Sequence, residues 1–187
     1  MKSDYTHSFK KKIVQSIVFS DIKQQGFQKL IGLAGPNITE YLHFAKKQGI
    51  KQAEVYEKDF AHMLYQMNSF KPPIKTSVLY QDIYYAPVYQ DVVYDLDFCC
   101  TIKNAAHHIK KFKDVTSIIT LSIRGVGLIF TIKKFCKIIS KMKPKINLNI
   151  EVTSAYKKHN ICFEGGKSYT LYEYRDTSPM LTIQPNF

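Results

Sequence analysis

The 187-residue sequence predicts an α/β fold, a doubly wound and mainly parallel sheet closed by an antiparallel edge strand pair. Three observations predict it. The segments LIGLAGPN at 30–37, AEVYEKD at 53–59 and DVVYDLDF at 91–98 each run from strand-like apolar residues into a turn carrying Gly, Asn or acids, which is how an open α/β sheet presents its carboxyl edge to a ligand. Stretches with helical spacing separate these segments. Beyond Pro144 the pattern changes to short strands divided by turn residues, with no helix between them.

The elements follow in order. Phe9, Ile13, Ile17 and Val18 recur at helical spacing and predict a helix over 9–22, and a short buried strand follows at 27–33. Asn37 and Glu40 stand at N-cap and N3 spacing after Pro36, and the stripe Ile38, Leu42, Ala45 and Ile50 predicts a helix ending near Gly49. The next strand is at 53–56. Asp59 caps a helix with Phe60, Met63, Leu64 and Met67 on one side, and Pro72 and Pro73 end that unit. Strands are predicted at 76–80 and 91–96, a short helix at 104–111, a strand at 117–122, and a long helix at 128–142 that stops before Pro144. Strands at 147–153, 161–164 and 168–174 follow, with Gly165 and Gly166 among the turn signals; 84–89 and the tail from Asp176 read as loop.

Length and 45% hydrophobic content suit one sizeable core and are short for two, so a single domain over 1–187 is expected. The apolar stretches 115–123 and 126–132 are bounded by Arg124 or by Lys133 and Lys134, well below the roughly 20 residues of a membrane span. Residues 1–12 lack the apolar run of a signal peptide, so a soluble cytoplasmic protein with no membrane partner is expected. Cys99, Cys100, Cys136 and Cys162 form no C-x-x-C pair and are expected as free thiols. Together with His107 and His108 the adjacent cysteines lack zinc spacing, so no metal is expected, and buried thiols with surface histidines are the simpler reading.

The formal net charge is +12, with Arg124 and Arg175 the only arginines among 27 cationic residues. Lysine is a point charge suited to phosphate backbones, so the balance points to sequence-tolerant affinity for RNA or DNA; a lysine-rich coding bias would give the same balance without a polyanion. No separate target-recognition domain is apparent, which leaves specificity to the loops 71–89 and 157–167 or to a partner subunit.

In a nucleotide-type site the first strand-to-helix turn lets the backbone approach the ligand, and an acid about 20 residues later holds the ribose hydroxyls. Gly35 and Glu57 stand at those places. Gly32 and Gly35 are not followed by the third glycine of G-x-G-x-x-G, and no P-loop pattern occurs, so NAD, FAD and nucleoside triphosphates are disfavoured. A smaller adenosine ligand remains.

On these segments the chain resembles the class I, Rossmann-like S-adenosylmethionine-dependent methyltransferases, over nearly its whole length in element order. The segment 30–37 resembles the glycine-containing first motif, which implies that Gly32, Ala34, Gly35 and Asn37 lie against the methyl donor. Glu57 resembles the ribose-binding acid, and Asp82 the acid that meets the adenine amine. The run Asp95, Leu96, Asp97, Phe98 is similar to the D-x-D-P-Phe/Tyr and D/N-P-P-Tyr/Phe motifs of enzymes that methylate amino nitrogens of nucleic-acid bases. The resemblance implies S-adenosylmethionine as cofactor, Asp95 or Asp97 as acceptor of the amine's hydrogen bonds, and Phe98 as a ring stacked on the base. The match departs at Gly32, where an acid usually ends the first strand, at the loop, which keeps Gly35 before Pro36, and at Phe98, which no proline precedes.

Elementary chemistry agrees with such a motif. An exocyclic amine is a weak nucleophile, so a carboxylate that accepts its hydrogen bonds favours the charge that develops on nitrogen, and ring stacking fixes the line of attack. Strand alternation is expected to turn one of Asp95 and Asp97 to a given face. Glu57 otherwise solvates a strand end beside Lys58, Asp82 otherwise forms a turn, and Phe98 otherwise belongs to the core. Tyr84 and Tyr85, with Tyr89, either stack on a base or pack over the sheet edge. Arg124, after the fifth strand, either contacts a substrate phosphate or pairs with an acid at the sheet edge. The eroded glycine loop also allows a second reading, a catalytically inactive protein of this fold that binds nucleic acid or another protein.

Overall fold

A computed structural model describes residues 9–33, 38–68, 70–98, 100–175 and 178–186. Its elements are α1 (Phe9–Gln24), β1 (Lys29–Gly32), α2 (Ile38–Lys47), β2 (Gln52–Glu57), α3 (Phe60–Asn68), β3 (Lys75–Tyr80), a 3-10 turn (Ile83–Tyr85), β4 (Val93–Asp97), α4 (Ile102–Lys111), β5 (Ser117–Ser122), α5 (Leu128–Ile139), β6 (Pro144–Val152), β7 (Lys157–Phe163), β8 (Ser168–Arg175) and β9 (Pro179–Pro185).

The strands form one sheet in the order β3-β2-β1-β4-β5-β9-β8-β7-β6. The first five are parallel, because each β-to-β crossover carries its chain back over the sheet. The other four are antiparallel and join β5 through β9. The antiparallel part is therefore a four-stranded meander, not an edge pair, and it makes up nearly half of the sheet. The expected loop from Asp176 contains β9, whose residues Met180 to Gln184 are all buried. Pro179 and Pro185 bound this strand at its two ends, where a missing N–H costs the ladder least.

Each face of the sheet carries its own core. On one, Val14, Val18, Phe19 and Ile22 of α1 and Ile38, Leu42 and Ala45 of α2 pack on Leu30, Ala53, Val55 and Val93. On the other, Ile102, Ala105 and Ile109 of α4 and Ile132, Phe135 and Ile139 of α5 pack on Ile31, Tyr94, Leu96 and Ile119. Consecutive residues of β1 and β4 alternate between the two, as the strand period requires. The buried stripe of α1 begins at Lys11, which is 3% exposed, while Phe9 is 74% exposed. A lysine on a core-facing stripe calls for a buried anion opposite it. α5 ends at Ile139, short of the expected Met142, because Ser140 turns to extended backbone while its N–H still bonds Cys136. Among the described residues no helix is long and apolar enough to cross a membrane.

Candidate functional site

The order β3-β2-β1-β4-β5 places a topological switch point between β1 and β4, where chain crossovers leave the carboxyl edge in opposite directions and open a crevice. Gly32 and Asp95 are register partners there, and the Leu33 N–H bonds Asp95 O at 3.1 Å. Asp95 and Asp97 are two residues apart and so lie on the same face of β4, the α1 and α2 face, which corrects the expectation that only one of them would.

Asp97 meets the Lys11 ammonium through Oδ2 at 2.5 Å, both side chains being largely buried. Its Oδ1 is buried with no hydrogen-bond partner among the described residues. Asp95 is 3% exposed. Burial, and then the negative charge of Asp97, push its carboxyl up to about 7, against opposing pulls from the Tyr41 hydroxyl and Lys11. Tyr41 stays a neutral phenol, its pKa raised by burial and by Asp95. Its hydroxyl stands beside Asp95, yet among the described residues neither Tyr41 Oη nor Asp95 Oδ2 makes a hydrogen bond of acceptable geometry. Gly32 is what admits that hydroxyl. A Cβ at Gly32 would lie 2.8 Å from Tyr41 Oη and 2.9 Å from Asp95 O, so the end of β1 has no room for any side chain, acidic or otherwise.

Three oxygens beside the end of β4, Tyr41 Oη, Asp95 Oδ2 and Asp97 Oδ1, are thus without a hydrogen bond of acceptable geometry among the described residues. Leaving such groups unpaired is costly: the two carboxylate oxygens call for N–H donors or a cation, while the Tyr41 hydroxyl can turn to donate to Asp95. A cavity of about 320 Å³ adjoins them, bounded by Leu33 and Asp97 at the sheet and by Gln15, Ser16, Tyr41 and Phe44 of α1 and α2.

Along the edge from β1, Glu57 ends β2. Its Oε1 accepts the Asp59 N–H at 2.8 Å, which orients the carboxylate and leaves Oε2 without a bond among the described residues. Asp82 lies just past β3 and caps the 3-10 turn by accepting the Tyr84 N–H at 2.8 Å on Oδ1. The same oxygen meets His108 Nε2 at 2.7 Å. Burial alone would raise the Asp82 pKa; the Tyr84 N–H and His108 outweigh it and bring the carboxyl below its ordinary value. His108 is 7% exposed, a correction to its reading as a surface residue.

The segment after Asp82 is tied down on α4. Lys111 Nζ donates to the Tyr84 and Ala86 carbonyls, and the Tyr94 hydroxyl donates to Pro87 O at 2.7 Å while accepting the Tyr89 N–H. The rings of Tyr84 and Tyr85 remain outside, 41% and 67% exposed. They meet edge to face at 5.7 Å, and Lys111 Nζ lies 5.1 Å from the Tyr84 centroid. Phe98, by contrast, is 8% exposed and packs on His108 with ring centroids 5.2 Å apart, so it belongs to the core beneath this surface.

Arg124 is exposed in the loop after β5 and forms no pair with a sheet-edge acid among the described residues. Ala34, Gly35 and Asn37 lie outside the described residues. Of the described thiols, all free, Cys136 is buried and Cys100 half-buried, while Cys162 is exposed, a correction to its reading as buried; Cys99 lies outside the described residues. Among the described residues no three His, Cys, Asp or Glu side chains converge as metal ligands.

Sequence reading had not singled out Lys11, Tyr41, His108 or Arg175 as members of this edge. Lys11 sits in a run of three lysines, and only its place on the apolar stripe of α1 distinguishes it. Tyr41 and His108 carry no local signal, since what gives them a role is a partner in a distant segment.

No family model matches the sequence, and no curated protein does. Solved structures do match in fold. A candidate methylase from Haemophilus influenzae is 14% identical with a TM-score of 0.52, the match covering 95% of this chain and 99% of that one. An S-adenosylmethionine-dependent methyltransferase from Leishmania major is 11% identical with a TM-score of 0.52, covering 95% of this chain and 72% of that one. The chain has the mixed α/β, Rossmann-like fold of these proteins.

Proposed function

We propose that the protein is an S-adenosylmethionine-dependent methyltransferase acting on a nitrogen of a nucleic-acid base, in RNA or DNA. One observation carries this reading. Asp82, Glu57, Leu33 and Asp97 follow one another on the ends of β3, β2, β1 and β4, a row of three interstrand spacings, about 14 Å. Such a row suits a nucleoside that carries an amino-acid arm. Asp82 Oδ2 would take the adenine amine and Glu57 Oε2 a ribose hydroxyl, each carboxylate already held by a bond to its other oxygen. Gly32, at the end of β1, would lie beneath the arm.

The two carboxylate oxygens at the end of β4 support the same occupant, because they call for a cation or an N–H donor where the arm and the substrate amine would meet. When bound, S-adenosylmethionine supplies an electrophilic methyl group on a sulfonium. Asp97 Oδ1 accepts a hydrogen bond from the attacking amine while Lys11 holds Oδ2, and the proton that the amine gives up leaves along this bond to solvent in the cavity. Phe98 acts from below as the wall that fixes His108 and hence Asp82. Base stacking falls to the exposed rings of Tyr84 and Tyr85, which with a net charge of +12 favour a nucleic acid over a small neutral substrate.

Calorimetric titration with S-adenosylmethionine and S-adenosylhomocysteine, with NAD as control, tests the reading. Saturable binding of the first two is expected, weakened about 10-fold or more in Glu57→Ala, the loss of a charge-assisted hydrogen bond. Transfer of a labelled methyl group to RNA or DNA would then follow. A folded, ligand-free sample that binds neither compound would overturn the proposal and leave an inactive module of this fold.

A further inference from the structure

Arg124 and Arg175 are 51 positions apart in sequence and are the only arginines in a chain of 27 cationic residues. They line one open pocket of about 490 Å³ with Ile123, Gly125, Val126, Gly127, Ser178 and Pro179. The topology brings them together. β8 runs antiparallel to β9, which runs antiparallel to β5, so the end of β8 comes out on the carboxyl edge beside the loop that leaves β5. Arg175 pairs with Pro179 in the ladder, and the Ile123 N–H bonds Pro179 O at 3.0 Å, which stitches the two loops to each other.

Among the described residues no carboxylate lines this pocket, and among them neither guanidinium makes an ion pair or side-chain hydrogen bond. Gly125 and Gly127 have φ of +75° and +78°, and a Cβ at either would meet nothing, so the floor is bare backbone that a ligand can approach. This chain uses lysine for almost every other cation, and a generic positive surface would carry lysine here too. Lysine meets a phosphate only as a point charge, whereas two guanidiniums in one place suit its planar, bidentate recognition.

We propose that Arg124 and Arg175 form a seat for a backbone phosphate of the nucleic acid, beside the nucleotide whose base reaches Asp97. This deepens the methyltransferase reading and rests on it for the identity of the polymer. The positions agree. Going from β4 the pocket lies one to three strands further along the same edge, about 5–14 Å, a distance within one nucleotide of the target base. The edge would then hold the donor on its acidic side and the substrate backbone on its basic side.

The test is fluorescence anisotropy of labelled 12-nucleotide single-stranded RNA and DNA over a range of salt, with wild type, Arg124→Gln/Arg175→Gln, Arg124→Lys/Arg175→Lys, and Lys133→Gln/Lys134→Gln as a control of equal charge on the exposed face of α5. Both arginines are exposed, so the variants should fold, which thermal unfolding checks. The glutamine pair is expected to bind about 10-fold more weakly and to lower the slope of log K against log salt by about 0.7–1.4, one or two phosphate contacts on a single strand. The lysine pair should keep the slope and bind a few-fold more weakly. Arginine variants no weaker than the α5 control, lysine variants equal to wild type, displacement by AMP at the oligomer's own affinity, or a wild type that binds neither polymer would each overturn the seat. Arginine-dependent polymer binding in a protein that ignores S-adenosylmethionine would leave the seat standing and remove the methyltransferase reading alone.

Discussion

Asp97→Asn is expected to lower methyl transfer by about 100-fold or more, with S-adenosylmethionine still bound, and at the same time to cost about 3 kcal/mol of stability. The two losses have separate causes. Catalysis loses the charged acceptor that favours positive charge on the attacking amine. Stability falls because the Lys11 ammonium, buried on the core-facing stripe of α1, is stripped of the carboxylate that lies 2.5 Å from it. Lys11→Met in the same molecule should separate the effects. The double variant removes both members of the pair, and a methionine of similar length refills the space, so most of the stability should return while turnover does not. Denaturant unfolding reports the first, and a labelled-donor assay the second. A double variant that recovered turnover as well would show that Asp97 serves only to anchor α1.

Asp95→Asn should have the opposite effect on stability. With its folded pKa near 7 and an unfolded value of 3.8, the Asp95 carboxyl binds a proton more tightly in the folded protein. Its contribution to stability is therefore complete below pH 4 and is lost as the pH rises to 7, a swing of about 4 kcal/mol at 1.36 kcal/mol per unit. Asparagine has the shape of the neutral acid and no charge to bury. At pH 8 the variant is expected to unfold about 10 °C higher than wild type, and the gap should narrow as the pH falls and close below about pH 4. Taking the difference between the two proteins removes the opposing trend of His159, whose pKa is lowered by burial in a site bonded to Asn149 and Glu173 and which therefore costs stability as the pH falls through the histidine range. A gap independent of pH would mean that Asp95 stays ionised in the fold.

The parallel half of the sheet was legible because its signals are local. β5 lies at the predicted residues, and the stripe of α2 and the Asp59 cap of α3, which accepts the Ala61 N–H at 3.0 Å, are spacing effects within a few residues. β9 was not legible. Five buried residues between two prolines read as a loop with apolar content, and only the neighbours β5 and β8 make them a strand. The acids of the edge could be placed because strand ends can be placed. What surrounds them could not, because Lys11 and Asp97 are 86 positions apart and Asp82 and His108 26. Phe98 shows the limit of a motif: the residue stands in its expected place, but the core on the α4 side claims its ring.

β9 has a further consequence. With β5 it forms the joint between the two halves of the sheet, and Ile183 is at once the register partner of Ile119 in β5 and of Leu171 in β8. All three side chains lie in one cluster with Leu96 of the parallel half and Ile161 of the meander. The sheet has no seam. Melting of either half would open the core of the other, so the parallel edge and the meander are expected to unfold in one cooperative transition, and a lesion on β7 to lower the stability of the whole sheet; coincident unfolding curves from two probes check this.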